Sequence, residues 1–259
     1  MTKKLIMDHL ERSVEYSYPP KRIISLAPGI TDTLYSLGLE KEIVGRTRYC
    51  IHPKIKVDQA TPVGGTKDIH LDNIRALKPD LIFAEKEENT KEIVELLEKE
   101  FSVFVAEVDS VQTAYKMITD LGEVTNSKLE AEQLLFTIQS RFKDIPTFQG
   151  KRVAYVIWRK PYMVAGNNTY ISSLLTLLGF ENAFSTYEGR YPIVTEEDFQ
   201  LANLDYLFLA TEPFPFKEKH VIKMSAFLAD VKASILDGEM FWYGPRMIEA
   251  ATYFNKIFE

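Results

Sequence analysis

Short apolar runs alternate with amphipathic segments along most of the chain. Residues 23–26 and 81–84 are apolar runs of strand length, each bounded by Pro, Gly or charged residues. Apolar positions at helical spacing mark other segments, for example Leu71, Ile74 and Leu77, after which a proline follows. Strands and helices that alternate at this length predict an α/β fold with mainly parallel sheets.

Residues 126–145 carry the longest helical pattern of the sequence. Leu134 and Ile138 belong to one apolar stripe, and Asn126 or Ser127 supplies a cap at the start. Nothing interrupts the pattern before a proline, so at about 1.5 Å per residue the helix would extend nearly 30 Å. We predict that this helix joins two lobes.

The pattern of the first half begins again after this helix. A Lys-Arg pair opens a strand at residue 151 as it does at residue 21, and the segment 71–84 is echoed by 197–210. Each echo leads to an acid, Glu85 or Glu212. The expected fold is therefore two similar Rossmann-like lobes with mainly parallel sheets, joined by a single long spanning α-helix, with a ligand cleft between the lobes. The predicted boundaries are an N-terminal arm at 1–20, an N-terminal α/β lobe at 21–125, the spanning helix at 126–145 and a C-terminal α/β lobe at 146–259.

Charge and composition narrow the class of protein. The 259-residue chain has a net charge of −6, which gives no electrostatic reason to expect nucleic acid. Its single cysteine, Cys50, excludes an internal disulfide. No apolar run approaches the ~20 residues of a membrane span, and the start of the chain lacks the apolar core and cleavage site of a signal peptide. These residues alone predict a protein that works inside the cell, unless an export signal lies outside the sequence.

Loops after the predicted strands collect aromatic and cationic side chains, as where Trp158 precedes Arg159 and Trp242 precedes Tyr243. Ligands of open α/β sheets bind beyond the carboxyl ends of strands. Aromatic faces beside cations suit a large, flat, partly anionic ligand. The alternative is that both tryptophans pack in the core at strand ends. The predicted ligand-binding residues are Pro28, Gly29, Tyr49, Lys67, Trp158, Arg159, Tyr162, Arg190, Trp242 and Tyr243.

Cys50 and His52 suggest a metal-binding site, because thiolate and imidazole are good metal ligands. A protein-only zinc site needs three or four such ligands, and the sequence has one Cys and four scattered His. A second possibility is left open: Cys50 or His52 supplies one axial ligand to a metal that an organic chelate already holds. We prefer the interpretation in which Cys50 packs as a small apolar residue and His52 orders the loop before Pro53.

Motifs of the common enzyme classes are missing from the sequence. No Gly-x-Gly-x-x-Gly follows the strands predicted at 23–26 and 153–158, and there is no P-loop or Gly-x-Ser-x-Gly. We therefore expect no catalytic residues and no resident cofactor. The sequence favours a binding protein over an enzyme.

Several segments resemble the substrate-binding proteins of ABC importers. In the first half they are residues 22–28, 44–53, 63–65 and 77–82. In the second half they are residues 157–162, 212–220 and 242–244. The resemblance covers about residues 12–259. It is to the helical-backbone class that carries cobalamin, siderophore-bound iron and haem, and within this class the cobalamin-binding-like branch is the most similar.

This resemblance implies a two-lobed, monomeric receptor that holds its ligand without chemistry and delivers it to a membrane permease. In this class an exposed glutamate on each lobe docks to arginines of the permease, and the matching candidates here are Glu88, Glu92 and Glu218. The alternative is that these are solvated helix charges. Family members are exported, often as lipoproteins, so the resemblance implies a periplasmic or membrane-surface location.

Two hypotheses from different classes follow. The first is a solute receptor for a metal chelate, with a corrinoid favoured over a ferric siderophore or haem. The second is a cytoplasmic enzyme or escort protein that acts on a similar chelate in the same cleft. A receptor for free metal ranks third, because the protein offers too few metal ligands.

Overall fold

The computed structural model describes residues 2–228 and 230–258. By its internal contacts the chain divides into two compact units. Unit 1 comprises the residues through Val108 together with Gln112–Gln139. Unit 2 comprises Asp109–Val111 and the residues from Ser140 onward.

Unit 1 contains a hairpin and a parallel sheet. The hairpin strands β1 (Thr2–Met7) and β2 (Ser13–Tyr18) pair antiparallel, within the segment 1–20 that is predicted as an N-terminal arm. The sheet has the strand order β5-β4-β3-β6-β7, and every neighbouring pair is parallel. Its strands are β3 (Ile23–Ser25), β4 (Ile43–Arg46), β5 (Thr61–Pro62), β6 (Leu81–Glu85) and β7 (Val103–Ala106).

The turn of the hairpin is fixed to β7, the edge strand of this sheet. The buried Asp8 carboxylate accepts hydrogen bonds from the Val105 N–H at 3.1 Å and from the Arg12 guanidinium at 2.6 Å. The His9 N–H donates to the Val105 carbonyl at 3.1 Å. The turn therefore satisfies polar backbone groups that an open sheet edge would leave exposed.

The helices that lie wholly or mainly in unit 1 are α1 (Pro28–Ser36), α2 (Leu71–Leu77), α3 (Lys91–Leu97), α4 (Val111–Thr125) and α5 (Lys128–Phe142). The sequence predicts a turn at residues 27–29 and a cap at Thr31 or Asp32, but α1 already begins at Pro28, with Ala27 at the N-cap. Proline at the first helical position fits the fixed φ of its ring and its missing N–H. The Thr31 hydroxyl bonds inside the core instead, to Ser25 and Cys50.

The long helix predicted at 126–145 is α5, and it is shorter than predicted. Asn126 adopts a left-handed conformation with φ of 62°, which separates α5 from α4. Helix α5 ends at Phe142, so its 15 residues extend about 22 Å. The chain passes from unit 1 to unit 2 within α5, between Gln139 and Ser140.

Unit 2 is built on a mixed sheet with a parallel centre. Strand order is β11-β9-β8-β12-β13, with β10 also paired to β8. Pairs among β8, β10, β12 and β13 are parallel, whereas β9 pairs antiparallel with β8 and β11. The strands are β8 (Lys151–Arg159), β9 (Tyr162–Val164), β10 (Phe180–Asn182), β11 (Ile193–Val194), β12 (Tyr206–Ala210) and β13 (Lys232–Leu236).

The helices of unit 2 are α6 (Tyr170–Leu177), α7 (Glu196–Leu201), α8 (Glu218–Ser225) and α9 (Arg246–Ile257). Sequence signals fix several of their ends. Thr195 and Asp198 form a reciprocal capping box at the start of α7, and Thr169 caps α6. Gly179, with φ of 79°, follows the end of α6.

The duplication predicted from residues 71–84 and 197–210 has a matching set of hydrogen bonds in each unit. Asp80 accepts the backbone N–H groups of Lys21 and Arg22, and Asp205 accepts the N–H of Arg152 and the ammonium of Lys151. In both units the acid therefore ties the start of a central strand to the helix-strand segment beside it. The repeated Lys-Arg and Asp positions have the same physical role.

The predicted fold class is confirmed: the protein is α/β, with two units that each contain a mainly parallel sheet. Each unit has its own apolar core, which includes Ile24 and Ile82 in unit 1 and Val156 and Leu209 in unit 2. Among the described residues, no helix combines the length and apolarity needed to cross a membrane.

Candidate functional site

The carboxyl ends of β8 and β12 present an aromatic pair, of which Trp158 is exposed and Phe214 is half-buried. Trp158 lies next to the end of β8 and keeps 39% of its surface exposed, which is unusual for tryptophan in an α/β core. Its ring meets Phe214 edge to face, with the ring centroids 5.7 Å apart. The Phe214 N–H donates to the Ile157 carbonyl at 3.3 Å, so the loop after β12 is held against the end of β8.

Trp242 lies at the same edge, after β13, and is held by a carboxyl group. A short 3₁₀ helix, Gly238–Phe241, follows β13, and the Trp242 indole N–H then donates to Glu212. The pKa of Glu212 is raised to about 7, mainly by burial and also by the nearby Glu239 and Asp237, against the lowering effect of the indole N–H. The two tryptophans therefore contact the same loop, residues 211–214: Trp242 binds Glu212, and Trp158 packs against Phe214.

Tyr243 continues this surface towards α6. Its ring meets that of Tyr170, the first residue of α6, with centroids 5.9 Å apart. Next to Trp242 on the other side, Phe241 packs inward on the fully buried Tyr155 of β8 at 4.4 Å. Inward packing of Phe241 leaves Trp242 and Tyr243 half-buried at the edge.

Arg159 and Tyr162 are register partners in the β8–β9 hairpin and so lie on one face of it. The Tyr162 ring contacts Phe199 of α7 at 5.7 Å. Burial lowers the pKa of His220, and the charge of Arg159 lowers it further. The half-buried Arg190 precedes β11, where its carbonyl accepts the Gly166 N–H at 2.8 Å. The structure thus places Arg159 and Tyr162 at one hairpin tip and Arg190 in a separate segment.

The strand ends of unit 1 carry the remaining predicted contacts. Pro28 and Gly29 open α1 directly after β3. Tyr49 is 50% exposed, and the Arg48 guanidinium lies 5.0 Å from its ring centroid. Arg48 also makes two bonds to Asp68, at 2.9 and 3.0 Å, which joins the Tyr49 loop to the turn that carries the exposed Lys67. Tyr49 and Lys67 therefore flank one ion pair.

A buried acid at the end of β6 connects several loops of unit 1. Glu85 accepts the backbone N–H groups of Glu87 at 2.7 Å, Glu88 at 3.0 Å and Val108 at 3.1 Å. Burial nevertheless raises the pKa of Glu85 to about 7. The neighbouring Asn89 amide donates to the carbonyls at the ends of two other loops, Leu26 and Thr66.

Cys50 and His52 are both buried. The Thr31 hydroxyl donates to the Cys50 sulfur at 3.0 Å, and Thr47 lies 3.2 Å from it. Burial raises the pKa of the Cys50 thiol. This environment supports the interpretation of Cys50 as a packed residue, while the axial-ligand role of His52 or Cys50 stays a prediction. No group of three or more candidate metal ligands occurs within residues 2–228 and 230–258.

The three candidate docking acids have different surroundings. Glu92 is exposed in the first turn of α3, where its own N–H and the Thr90 hydroxyl lower its pKa. Glu218 is the exposed first residue of α8. Glu88 is half-buried, and its N–H is bound by Glu85.

The predicted set omits residues that connect its members in the structure. Glu212 and Phe214 connect the two tryptophans, and Glu85 and Asn89 connect the loops of unit 1. The echo that leads to Glu85 and Glu212 is a sequence signal for the two acids. No comparable signal exists for Phe214 or Asn89, whose roles depend on partners distant in sequence.

Comparison with known proteins gives a family and several relatives. The family model described as periplasmic binding protein matches residues 23–235. A Bacillus subtilis protein, named uncharacterized ABC transporter substrate-binding lipoprotein YvrC, is 28% identical over 203 residues, which are 74% of this chain and 64% of that protein. The match thus spans slightly less than two thirds of that relative. A vitamin B12-binding protein of Vibrio cholerae serotype O1 is 26% identical over 196 residues, covering 74% of this chain and 71% of the relative.

A solved structure gives a close likeness of fold. The periplasmic heme-binding protein BhuT, in complex with two hemes, superimposes with a TM-score of 0.78 at 20% identity. The match covers 91% of this chain and 97% of that one. At this identity the likeness concerns the fold alone.

Proposed function

Because the chain belongs to the periplasmic binding protein family, we propose that it is the substrate-binding receptor of an ABC importer and binds a metal chelate. A corrinoid is the favoured cargo, ahead of a ferric siderophore or haem. The name of one relative, a vitamin B12-binding protein, supports this order. The names of the relatives also support a place outside the cytoplasmic membrane, either in the periplasm or at the membrane surface.

One observation carries this proposal: the edge formed by Trp158, Phe214, Trp242 and Tyr243. Parallel strands end here, and ligands of such sheets bind beyond their carboxyl ends. Trp158 remains 39% exposed although a tryptophan gains free energy from burial. A flat, conjugated ligand would cover such rings by stacking. In unit 1, we propose that Tyr49 and Lys67 contact the ligand. A ligand cleft between the lobes stays a prediction.

The first experiment is a tryptophan-fluorescence titration with cyanocobalamin, haemin and a ferric hydroxamate in parallel. Free N-acetyltryptophanamide, titrated alongside, corrects for ligand absorbance. We expect saturation at one equivalent of cyanocobalamin, without chemical change of the bound ligand. Saturation by haemin or the ferric hydroxamate instead would identify the other chelates as cargo, and no response to any of them would contradict the proposal.

Substitutions locate the ligand on this edge. Trp158→Ala should weaken binding by about threefold to tenfold, because it removes one stacking face, whereas Trp158→Phe keeps most of the affinity. Leu201→Ala is the matched control, since Leu201 is 72% exposed in the same unit but lies on α7, before β12 begins. Equal ligand affinities in all three variants would show that Trp158 does not contact the ligand.

We further propose that Glu92 and Glu218 dock to the importer, with Glu88 as the alternative acid in unit 1. Glu92 and Glu218 are exposed at helix starts, where a carboxylate is also favoured by the helix dipole. The matched controls are therefore Glu95, on the same helix as Glu92, and Glu197, in the first turn of α7. With the importer in liposomes, Glu92→Ala and Glu218→Ala should lose stimulation of ATP hydrolysis, and Glu95→Ala and Glu197→Ala should keep it.

A further inference from the structure

Glu212 and Trp242 lie on loops that follow neighbouring parallel strands. Strands β12 and β13 pair in register from Tyr206 to Ala210, so the loops after them leave the sheet side by side. The Thr211 N–H donates to the Leu236 carbonyl at 3.0 Å, which continues this pairing beyond β12. The Trp242 indole N–H then donates to Glu212 across the two loops.

The position of the Glu212 side chain is restricted by Gly238. A Cβ added at Gly238 would overlap Glu212 Cγ and lie 3.2 Å from Cδ and 3.3 Å from the Glu212 backbone nitrogen. The Gly238 N–H also donates to the Thr211 hydroxyl at 2.9 Å. The carboxyl of Glu212 therefore sits against bare backbone, in space that only glycine leaves open.

Several charged or titratable groups face Glu212. Asp237 and Glu239, on the loop after β13, oppose its negative charge. Burial raises the pKa of Tyr155, on β8, and the charge of Glu212 raises it further. From α9, the Arg246 guanidinium binds Glu239 at 3.2 Å and so partly balances this acidic group. These surroundings and its burial give Glu212 a pKa of about 7.

We propose that Glu212 is a positioning residue for Trp242, and that its charge state controls how firmly the indole is held at the ligand-binding edge. The ligand part of this inference rests on the proposed function. An ionised carboxylate accepts the indole N–H more strongly than a protonated carboxyl does. The indole is therefore held in place above neutral pH and is released as the pH falls.

The test uses Trp242 as its own reporter. The sequence has two tryptophans, so the Trp158→Phe background leaves Trp242 as the single emitter. We expect its emission maximum and its quenching by acrylamide to change with pH, with a midpoint near the Glu212 pKa of about 7. The change should disappear when Glu212→Gln is added. A transition that persists in the double variant would overturn the inference.

Glu85 supplies the matched control. It is a second glutamate with a pKa raised to about 7, but it is fully buried and belongs to unit 1. Glu85→Gln in the Trp158→Phe background should leave the Trp242 transition unchanged. Loss of the transition in this control would show that general loosening of the protein, rather than Glu212, moves the indole, and would overturn the inference.

Gly238→Ala tests the geometry independently of charge. The added Cβ displaces Glu212, so Trp242 should become more accessible to acrylamide already above neutral pH. Circular dichroism and thermal unfolding establish that this variant and Glu212→Gln are folded. A folded Gly238→Ala protein with unchanged Trp242 accessibility would contradict the proposed restraint.

A separate experiment measures the affinity of the protein for cyanocobalamin above and below neutral pH. The unsubstituted protein should bind about threefold to tenfold more tightly at the higher pH, the range that one hydrogen bond supplies. Glu212→Gln should remove this dependence. If cyanocobalamin binds at neither pH, the corrinoid assignment fails, while the Trp242 fluorescence profile still decides the role of Glu212. If it binds with equal affinity at both, control of the ligand site by Glu212 is wrong.

Discussion

At the scale of single residues, Glu85 shows how burial outweighs hydrogen bonding. Its carboxylate accepts N–H groups from Glu87, Glu88 and Val108, and each of these favours the ionised form. The side chain is only 2% exposed, however, and desolvation raises its pKa to about 7. Folded protein therefore binds the Glu85 proton more tightly than unfolded chain does.

This linkage predicts how stability depends on pH. Between the ordinary glutamate pKa of 4.5 and the folded value of about 7, the folded state holds more protons, so stability falls as pH rises through this window. The free energy of unfolding, measured by urea denaturation, should decrease with a slope of at most about 1.4 kcal/mol per pH unit for this group. Glu85→Gln should remove the part of this pH dependence that Glu85 contributes and leave the part that Glu212 contributes.

The control for this measurement is Glu197→Gln, an exposed acid at the start of α7. It should leave the pH profile of unfolding unchanged. If Glu85→Gln has the same pH profile as the unsubstituted protein, burial does not raise the pKa of Glu85.

The environment of Cys50 predicts that its thiol reacts slowly with thiol reagents. The side chain is 1% exposed, and burial raises the thiol pKa, so little nucleophilic thiolate is accessible. A chromogenic disulfide reagent should label the folded protein far more slowly than the urea-unfolded protein. Because the sequence has one cysteine, full labelling equals one equivalent. Rapid stoichiometric labelling of folded protein would contradict this placement.

At the scale of elements, the N-terminal hairpin shows how a local motif depends on a distant strand. Its turn closes on itself through the Asp8 and Arg12 pair, and the same Asp8 oxygen binds the N–H of Val105 on β7. The Tyr16 hydroxyl reaches the Val124 carbonyl at the end of α4. One side of the hairpin is thereby built into unit 1.

Asp8→Ala should therefore destabilise the protein by about 3 kcal/mol, because it leaves a partly buried guanidinium and a backbone N–H without their acceptor. Urea denaturation measures this change. The matched control is Glu15→Ala in the same hairpin, whose ion pair with Lys3 is well exposed and should contribute less than about 1 kcal/mol. Equal losses in the two variants would show that Asp8 does not anchor the hairpin.

At the scale of the whole molecule, the same structural plan occurs in both units. A buried or half-buried acid near the end of a parallel strand binds groups from neighbouring loops, Glu85 through backbone N–H groups and Glu212 through an indole. In unit 1 the acid only stabilises the loops, whereas in unit 2 it also fixes an aromatic ring. This difference agrees with the proposal that unit 2 supplies the main stacking surface.

Ligand binding should stabilise the whole protein. At a cyanocobalamin concentration of about 100 times the dissociation constant, the apparent free energy of unfolding should rise by about 2.7 kcal/mol. Thermal unfolding followed by circular dichroism would show this as a concentration-dependent rise in Tm. Trp158→Ala, with weaker binding, needs a higher concentration for the same rise. An unchanged Tm at saturation would contradict binding to the folded state.

Local sequence patterns determined the elements and their order. Apolar runs at 23–26 and 81–84, and the helical spacing in Leu71–Leu77, correspond to strands and a helix of the structure within one or two residues. The apolar spacing of these segments, and the hydrogen bonds within the helix, are local in sequence, so a single sequence contains the information. The same reasoning misplaced the ends of α5, because a left-handed Asn126 and the packing of α4 are not visible in an apolar stripe.

The sequence by itself therefore determined the α/β class, the internal duplication and the strand-end loops that hold the candidate site. Tertiary structure decided which side chains meet there: Phe214 against Trp158, Glu212 under Trp242, and Gly238 beside that carboxyl. These partners are far apart in the chain, and their contacts arise only when parallel strands bring the loops to one edge. For the same reason burial, and with it the raised pKa of Glu212, is a property of the folded unit.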